Sequence, residues 1–360
     1  MSSDRIKKLA EQIVQARQDY YNGVPKHSDK VFDAWVDELR TLEPNHKAVT
    51  AIGAPVAPSE WKKAKHQIPM GSLNKVNLPA ELTSWANDKT NKEKLFVTEK
   101  LDGLSIEVIY EDGKLIEAIT RGDGIVGESV TVNVVKMGGV SSFIKNFTGS
   151  LRGEIIMKKS NHKAHFSDKA NPRNAASGTC KRLDGVGVQY LDILFYQVLG
   201  DIDFKTEVEQ FEWLRKNKLG APNYWTYSKV EDVNAHWRDY QDTKRDKLDY
   251  DIDGLVVRIN DMPKQMALGD KDLRPLGAIA FKFDNEARET TLLDVVWEVG
   301  NSGRITPIAI LKPIIICGAE IKRASLHNVK MVKELDLYIG CTVLVSRRND
   351  VIPYVEEKIA

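Results

Sequence analysis

A lysine stands in the run Lys100-Leu-Asp-Gly, between the apolar stretches 95–97 and 106–110. A lysine followed closely by Asp-Gly is typical of a strand, a tight turn and a second strand, in which Gly103 is free to adopt a positive φ. A lysine amine surrounded by other cations or a metal ion loses its proton more easily and can attack phosphorus or a carbonyl carbon. The run therefore fits either a nucleophile or an ordinary hairpin lysine.

Two further stretches place charges beside strands. Residues 117–120 form a strand pattern that runs into Arg121-Gly-Asp-Gly, which fits a phosphate-contacting loop or a hairpin with two turns. Residues 150–157 form another strand pattern, and its period of two puts Arg152 and Glu154 on one face. This pair fits a buried ion pair or an acid that binds a ribose.

The next charges occur late in the chain, again in apolar strand patterns. Asp251 and Asp253 alternate at the start of the pattern 250–260. Because aspartate is unfavourable in strands, the pair indicates a carboxylate that a site requires. Lys282 is the only charged residue in the apolar pattern 278–283. A buried lysine is costly unless an anion pairs with it, although a lysine at a sheet edge can also extend its stem to water.

A stretch of small residues, 170–184, begins a helix flanked by Arg173, Lys181 and Arg182. A helix start with small residues and nearby cations suits the close approach of a phosphate backbone. The same residues also fit a charged helix that is exposed to solvent.

The length and composition indicate a globular protein of two or three domains. The chain has 360 residues, more than one core comfortably holds, and its 42% hydrophobic and 29% charged residues are ordinary for such a protein. The three cysteines are far apart without a Cys-x-x-Cys pair, so they indicate neither a disulfide framework nor a cysteine zinc site. The net charge of +1 neither requires nor excludes nucleic acid, because acidic outer faces can balance a basic groove.

Targeting and membrane segments are not indicated. The N-terminus carries no apolar segment of signal-peptide length, and no run approaches the ~20 apolar residues of a membrane span. We therefore expect a cytoplasmic protein that does not enter a membrane.

The elements that would position the charged residues fall into three regions. Residues 4–21 have helical spacing and a second helix follows Ser28, with aromatic residues that fit either packing within a helical hairpin or ligand binding. Residues 53–61, with two prolines, indicate a linker. Short β-rich runs and one long helical stretch fill residues 95–283. About five strands and a helix from residue 290 onward fit a small closed barrel of the OB type, which binds oligonucleotides or serves as scaffold.

The order of these motifs resembles that of the NAD-dependent DNA ligases of bacterial type over essentially the whole chain. The helical N-terminus resembles the nicotinamide-mononucleotide-binding cap that distinguishes this family from the ATP-using ligases. The motifs that carry the resemblance are Lys100-Leu-Asp-Gly, Thr120-Arg-Gly-Asp-Gly, Leu151-Arg-Gly-Glu, Asn171-Pro-Arg-Asn-Ala-Ala-Ser-Gly, Asp251-Ile-Asp-Gly-Leu-Val-Val, Ile279-Ala-Phe-Lys-Phe, Val299-Gly-Asn-Ser-Gly-Arg-Ile-Thr-Pro, Ser325-Leu-His-Asn and Asp350-Val-Ile-Pro.

The resemblance implies an α+β protein with a helical cap over residues 1–62, a mixed α/β nucleotidyltransferase (adenylation) domain over 63–286 and a C-terminal OB-fold β-barrel over 287–360. It implies an enzyme of DNA replication and repair that seals 5′-phosphate/3′-hydroxyl nicks in duplex DNA. Lys100 would attack NAD⁺, release nicotinamide mononucleotide and form lysyl-AMP, and the AMP would pass to the DNA 5′-phosphate. Mg²⁺, or Mn²⁺ in its place, would assist the transfer at phosphorus.

The same resemblance assigns roles position by position. The catalytic residues would be Lys100, Asp253 and Lys282. The residues that would bind NAD⁺ are Tyr20, Tyr21, Asp29, Asp33, Ser72, Leu73, Thr98, Glu99, Lys100, Arg121, Glu154, Arg245, Arg258 and Lys282, with His66 in the segment that leads into the adenosine pocket. DNA phosphates would be contacted by Arg173, Lys181, Arg182, Arg304, Arg347 and Arg348. The ligands of the metal ion would be Asp102, Glu154 and Asp253.

Some positions depart from the family pattern. Thr98 stands where a glutamate is usual, Arg258 where a lysine is usual, Phe32 where a tyrosine is usual, and Asn301-Ser where an Arg-Thr pair is usual. The sequence stops at Ala360, directly after the barrel, without the zinc finger, helix-hairpin-helix repeats and C-terminal interaction domain of the cellular enzymes. We expect either a minimal ligase of the kind that a virus or phage carries or a fragment of a longer one.

Two other functions fit the same order of elements. One is a nucleotidyltransferase of the ligase or capping type that uses ATP or GTP. The other is a nucleic-acid-binding protein without the chemistry, although such a protein has no need of the charge set Lys100, Glu154, Asp253 and Lys282. The partner that we expect is nicked double-stranded DNA, bound by a monomer in bacterial or infected-host cytoplasm.

Overall fold

A computed structural model of the chain describes residues 2–21, 29–44, 46–50, 60–90, 92–283, 287–299, 305–316, 319–326, 329–348 and 352–359. The chain divides into two compact units, Met1–Phe283 and Asp284–Ala360. Among the described residues, no helix combines the length and the apolar character that crossing a membrane requires.

The larger unit begins with helices α1 (Ser2–Tyr21), α2 (Asp29–Leu42) and α3 (Lys47–Thr50). They enclose a small core of their own, in which the fully buried Leu9, Ile13 and Leu39 pack together. The first two of these residues lie four positions apart on one face of α1, which explains why this segment is helical.

The rest of this unit is mixed α/β. Its helices are α4 (Pro79–Lys89), α5 (Thr131–Val134), α6 (Lys159–His165), α7 (Pro172–Cys180), α8 (Glu207–Lys216), α9 (Val230–Asp239) and α10 (Met262–Ala267). Its strands are β1 (Lys63–Lys65), β2 (Asn74–Val76), β3 (Leu95–Leu101), β4 (Leu104–Glu111), β5 (Lys114–Thr120), β6 (Val126–Glu128), β7 (Gly149–Met157), β8 (Leu191–Gly200), β9 (Tyr224–Tyr227), β10 (Ile252–Ile259), β11 (Asp270–Lys271), β12 (Arg274–Pro275) and β13 (Ala278–Lys282).

These strands form two principal sheets. One sheet has the order β2-β13-β10-β3-β9, with β2 parallel to β13 and the other neighbours antiparallel. The other sheet is antiparallel throughout, in the order β5-β4-β7-β8. Each sheet has its own hydrophobic core, the first around Val97, Leu255 and Phe281 and the second around Ile106 and Phe195.

The strand, turn and second strand predicted around Lys100 are present, but the two strands do not form a hairpin. Strands β3 and β4 are consecutive in the chain, but they belong to different sheets, so the Asp-Gly turn crosses from one sheet to the other. Gly103 is not among the residues with positive φ. A Cβ at this position would lie 2.1 Å from the carbonyl oxygen of Ile155, so glycine is required because β7 passes close to the turn.

The smaller unit is a closed barrel with the order β14-β15-β16-β18-β17. Its elements are β14 (Ala287–Val299), β15 (Ile305–Ile316), β16 (Ala319–Ser325), α11 (Val329–Glu334), β17 (Thr342–Arg348) and β18 (Ile352–Lys358). The barrel is filled by apolar residues that include Leu292, Leu311, Val343 and Val355. The α+β class and the C-terminal barrel predicted from the sequence are confirmed.

Candidate active site

Strand register brings two distant lysines together. Gly254 of β10 is opposite Lys100 of β3 on one side and opposite Lys282 of β13 on the other. A Cβ at position 254 would lie 2.3 Å from the carbonyl oxygen of Phe281, so only glycine allows β13 to pack this closely. The two ammonium groups therefore meet at one level of the sheet.

Asp253 lies between these two lysines. A β-bulge in β10 leaves Asp253 as the extra residue opposite β3, which turns its side chain toward both amines. The Lys100 Nζ atom is 2.8 Å from Oδ1 and 2.9 Å from Oδ2, and the Lys282 Nζ atom is 3.5 Å from Oδ2. Burial alone would raise the pKa of Asp253, but the charges of Lys100 and Lys282 hold this pKa below its ordinary value.

Glu154 and Arg152 have different partners. Ser105 of β4 is opposite Glu154 of β7 and donates a hydrogen bond to its Oε2 atom at 2.8 Å. Burial raises the pKa of Glu154 to about 7, although Arg173 and Lys100 oppose this rise. Arg152 instead pairs with the buried Glu107 at 3.6 Å, so the two charges on this face of β7 do not pair with each other.

Glu107 also anchors the loop that leads into the site. The buried His66 places its Nδ1 atom 2.5 Å from Oε2 of Glu107, and Arg152 donates a hydrogen bond to the carbonyl oxygen of Ile68. Burial would raise the pKa of Glu107, but the hydrogen bonds from His66 and Ser150 and the charge of Arg152 bring it below its ordinary value. This network fixes the loop against β4 and β7.

A second cation–carboxylate pair lies beside the lysines. Asn171 caps α7 by accepting a hydrogen bond from the backbone N–H of Asn174 at 2.7 Å, and Pro172 begins the helix. This cap places Arg173 in the first turn, where its guanidinium pairs with the carboxylate of Asp102.

A cavity of about 880 Å³ is lined by most of the predicted site residues whose side chains are described. Residues Ala16, Arg17 and Phe32 of the N-terminal helices also line it. The predicted residues in its lining are Ser72, Leu73, Thr98, Glu99, Lys100, Arg121, Glu154, Arg173, Lys181, Arg258 and Lys282.

The charged groups of some predicted residues contact partners away from Lys100. The carboxylate of Glu99 accepts hydrogen bonds from the hydroxyl groups of Tyr240 at 3.0 Å and Tyr250 at 2.6 Å, on the face of β3 opposite Lys100. Arg245 lies over the ring of Phe283, 5.4 Å from its centroid. The exposed Arg182 pairs with the adjacent loop residue Asp184, and Lys181 pairs with Glu128 at 3.0 Å.

Several predicted residues fall outside the described parts of the chain. Arg304 lies in a segment that is not described. The backbones of Tyr20 and Tyr21 lie in α1, of Asp29 and Asp33 in α2, and of Arg347 and Arg348 in β17, but their side chains are not described. The predicted roles of these residues stay predictions.

The predicted metal ligands do not form a shared site. Within the described residues there is no group of three His, Cys, Asp or Glu side chains that could hold a metal ion. Asp102 is paired with Arg173, and Asp253 with two lysines, so these oxygens already have cationic partners. The carboxylates among the described residues therefore do not fit a resident metal ion on their own.

Sequence reasoning missed a polar group that lines the same cavity. Gln210 of α8 and Gln265 of α10 both donate hydrogen bonds to Glu207 of α8, and Glu207 also pairs with Arg258. Glu207 directly follows Thr206, the N-cap of α8, and an acidic residue in the first helical turn is ordinary. Nothing in the local pattern distinguishes it from a surface residue.

Comparison with known proteins agrees with this fold. A family model described as the NAD-dependent DNA ligase adenylation domain matches residues 58–286, and one described as the NAD-dependent DNA ligase OB-fold domain matches residues 289–360. The fold is therefore that of a nucleotidyltransferase domain followed by an OB-fold. The chain belongs to the NAD-dependent DNA ligase family, as its motifs predicted.

Individual relatives extend the match to the N-terminal helices. A DNA ligase of Sorangium cellulosum is 45% identical over 381 residues, which cover 99% of this chain and 56% of that protein. A DNA ligase of Treponema denticola is 38% identical over 96% of this chain and 56% of its own length, and one of Treponema pallidum is 36% identical over 99% and 45%. The chain thus spans about half the length of these relatives.

Proposed function

We propose that this chain carries the catalytic centre of an NAD-dependent DNA ligase that seals nicks in duplex DNA. The observation that supports this most directly is the Lys100 amine, 2.8 Å from Asp253 and beside Lys282, in the lining of a cavity that also includes Glu154 and Arg173. The division into a cap over 1–62, an adenylation domain over 63–286 and an OB-fold over 287–360 is part of the same proposal.

In the first step, the Lys100 Nζ atom attacks the phosphorus that is attached to the adenosine of NAD⁺. The bond from this phosphorus to the nicotinamide mononucleotide phosphate breaks, which leaves AMP on the lysine. Asp253 holds the amine in place, while Lys282 and Arg173 supply positive charge for the phosphates. Glu154 lines the same cavity and is proposed to contact the ribose.

In the later steps, the AMP passes to the 5′-phosphate of a DNA nick, and the 3′-hydroxyl then displaces it. Cations near the cavity are the proposed contacts to the DNA backbone, with Arg173 and Lys181 in its lining and Arg182 exposed. We propose nicked duplex DNA as the partner of a monomeric, cytoplasmic protein.

The remaining part of NAD⁺ is assigned to the N-terminal helices. The lining of the cavity includes Ala16, Arg17 and Phe32, so these helices border the space that holds Lys100. This placement supports the proposal that Tyr20, Tyr21, Asp29 and Asp33 bind the nicotinamide mononucleotide half.

A divalent cation is proposed to arrive with the phosphates of the substrate. Mg²⁺ commonly binds through substrate phosphates and water with only one or two carboxylates, which does not require the three-ligand cluster that the described residues lack. Such an ion supplies positive charge at phosphorus. The steps above depend only on residues of this chain, and the need for Mg²⁺ or Mn²⁺ stays a prediction.

The test is self-labelling of the protein with NAD⁺ or ATP, each labelled in its adenylate. The proposal expects acid-labile label on the protein from NAD⁺ and none from ATP, because a lysyl phosphoramidate is hydrolysed by acid. Label from ATP alone would indicate an ATP-using nucleotidyltransferase. No label from NAD⁺, ATP or GTP would indicate a nucleic-acid-binding protein without the chemistry.

A further inference from the structure

A second charged cluster lines the cavity, away from Lys100. Glu207 and Arg258 are 3% and 9% exposed, and both belong to the lining of the cavity. The Nε atom of Arg258 lies 3.8 Å from Oε1 of Glu207. A buried carboxylate and a buried guanidinium at the wall of a cavity are costly unless they serve each other and a ligand.

Glu207 is held by neutral donors on both oxygen atoms. Gln210 donates to Oε2 at 3.0 Å, and Gln265 donates to Oε1 at 2.9 Å. The same Gln265 amide donates to the carbonyl oxygen of Ile259 at 2.9 Å, and Gln210 accepts from the backbone N–H of Val198 at 2.7 Å. Each glutamine is therefore itself fixed by a strand, so the carboxylate has a defined orientation.

This carboxylate in turn orients Arg258. The guanidinium donates from Nη1 to the hydroxyl of Thr98 at 3.4 Å, and Glu207 is the anion that balances its charge. Thr98 belongs to the neighbouring strand β3, where it is opposite Val256, and its side chain carries no charge. A guanidinium has five N–H groups, and these two partners leave donors for the cavity.

The position of Arg258 along β10 indicates which part of a bound nucleotide it would contact. It lies four residues along β10 from Gly254, the residue between Lys100 and Lys282, which corresponds to about 13 Å of strand. A nucleotide whose phosphate lies at the lysines would extend its base toward Arg258. The cluster is neutral overall, which suits an uncharged base better than a phosphate.

We infer that Glu207 is a positioning residue, which fixes Arg258 so that its guanidinium donates to acceptor nitrogens of the adenine base. This inference rests on the proposed function, because it assigns the base-binding end of the same cavity. The carboxylate partner of Arg258 comes from the first turn of helix α8.

The first experiment substitutes Glu207→Gln, which keeps the shape of the side chain and removes its charge. We expect adenosine and AMP to bind about tenfold more weakly, by the same factor for both, because the loss is at the base. The KM for NAD⁺ in self-adenylation should rise by a similar factor, with kcat changed less than about threefold. The matched control is Glu212→Gln, at an exposed position of the same helix outside the cavity, which should leave all these values unchanged.

The second experiment tests the coupling to Arg258. In an Arg258→Met background, Glu207→Gln should no longer change adenosine affinity, because the group that it positions is gone. An equal loss in both backgrounds would overturn the inference, as would a fall in kcat with an unchanged KM. Thermal unfolding of each variant identifies any that fail to fold. In that case Gln265→Met, which removes one donor to Glu207, replaces Glu207→Gln and should weaken adenosine binding in the same direction.

Adenosine binding also separates this inference from the proposed function. It requires neither an attack by Lys100 nor reaction with NAD⁺. If the protein does not react with NAD⁺ but shows the expected adenosine losses, the proposed function fails and the base site stands. If the unaltered protein does not bind adenosine at all, the inference is wrong.

Discussion

The Lys100 region and the Glu207 region of the cavity contain the same kinds of charged group in different proportions. Around Lys100, one carboxylate, Asp253, serves two lysines, and Arg173 and Asp102 form a pair beside them. Around Glu207, one carboxylate serves one guanidinium and accepts two neutral amide donors. The first arrangement leaves excess positive charge, and the second leaves none.

This difference in net charge indicates which region of the cavity should bind the negatively charged part of a ligand. Burying an uncompensated cation is costly, so an excess of cations is stable only where an anion arrives. Glu154 offsets this excess only in part, because its raised pKa of about 7 leaves it partly protonated near neutral pH. The phosphate is therefore assigned to the Lys100 region and the base to the Glu207 region.

The largest expected effect comes from Lys100→Ala. This change removes the attacking amine, so self-labelling by NAD⁺ should be lost, while a nick that already carries AMP should still be sealed at some rate. The measurement is acid-labile label on the protein together with sealing of a pre-adenylated substrate. Lys94→Ala, at an exposed lysine just before β3, is the control and should label normally. Residual labelling of the Lys100 variant would remove this lysine from its role.

Asp253→Asn should have the next largest effect. The change leaves the two ammonium groups of Lys100 and Lys282 close together without their shared anion, and the amine moves out of line for attack. Misplacement of a reacting group by about 1 Å can cost about a hundredfold in rate, and we expect a loss of that order in single-turnover adenylation.

The control for this change is Asp251→Asn, two residues earlier in the chain and just before β10. Asp251 pairs with Lys159 at 3.4 Å and does not line the cavity, so the adenylation rate should change by less than about twofold. Equal losses in both variants would mean that the shared carboxylate is not what positions Lys100.

Glu154→Gln should reveal the raised pKa as a pH dependence of stability. Since the folded-state pKa of about 7 lies above the ordinary value of 4.5, Glu154 favours folding below pH 4.5, and this contribution is lost as the pH rises through 7. Glutamine is neutral throughout. The variant should therefore gain about 2–3 kcal/mol of unfolding free energy relative to the native chain between pH 5 and 8.5.

Urea unfolding followed by tryptophan fluorescence at both pH values measures this difference. A constant gap between Glu154→Gln and the native chain across this range would show that burial does not raise the pKa of Glu154.

The smallest expected effect is that of Arg182→Ala, which tests a cation outside the cavity. Arg182 is exposed and pairs with Asp184, so its contact to a DNA phosphate would be one of several and screened by salt. Binding to a nicked duplex should weaken a few-fold, and the slope of log affinity against log salt should become shallower by about 1. Arg215→Ala, an exposed arginine on α8, is the control. An unchanged slope for Arg182→Ala would exclude this contact.

Much of the candidate site could be predicted from the sequence because its residues occur in short motifs on strands. A charged residue in an apolar strand pattern is costly. The sequence pattern alone therefore indicated that Lys282 and Asp253 belong to a site. The barrel was visible in the same way, from short strands at regular spacing. The two strands around Lys100 were predicted, but not that they belong to different sheets, because the local sequence does not indicate to which sheet the next strand belongs.

The sequence by itself determined which residues carry charge within apolar strands, and it indicated the family through the order of its motifs. The tertiary structure alone decided which of them meet. The register of β10 against β3 and β13 brings Lys100, Asp253 and Lys282 together. Alternation of side chains along β3 turns Thr98 toward the cavity, while Glu99 faces Tyr240 and Tyr250. Glu207 reaches Arg258 only because the start of α8 packs near the end of β10, where its backbone N–H donates to the carbonyl oxygen of Asn260 at 2.9 Å. Contacts of this kind join residues that are far apart in the chain, and local periodicity carries no information about them.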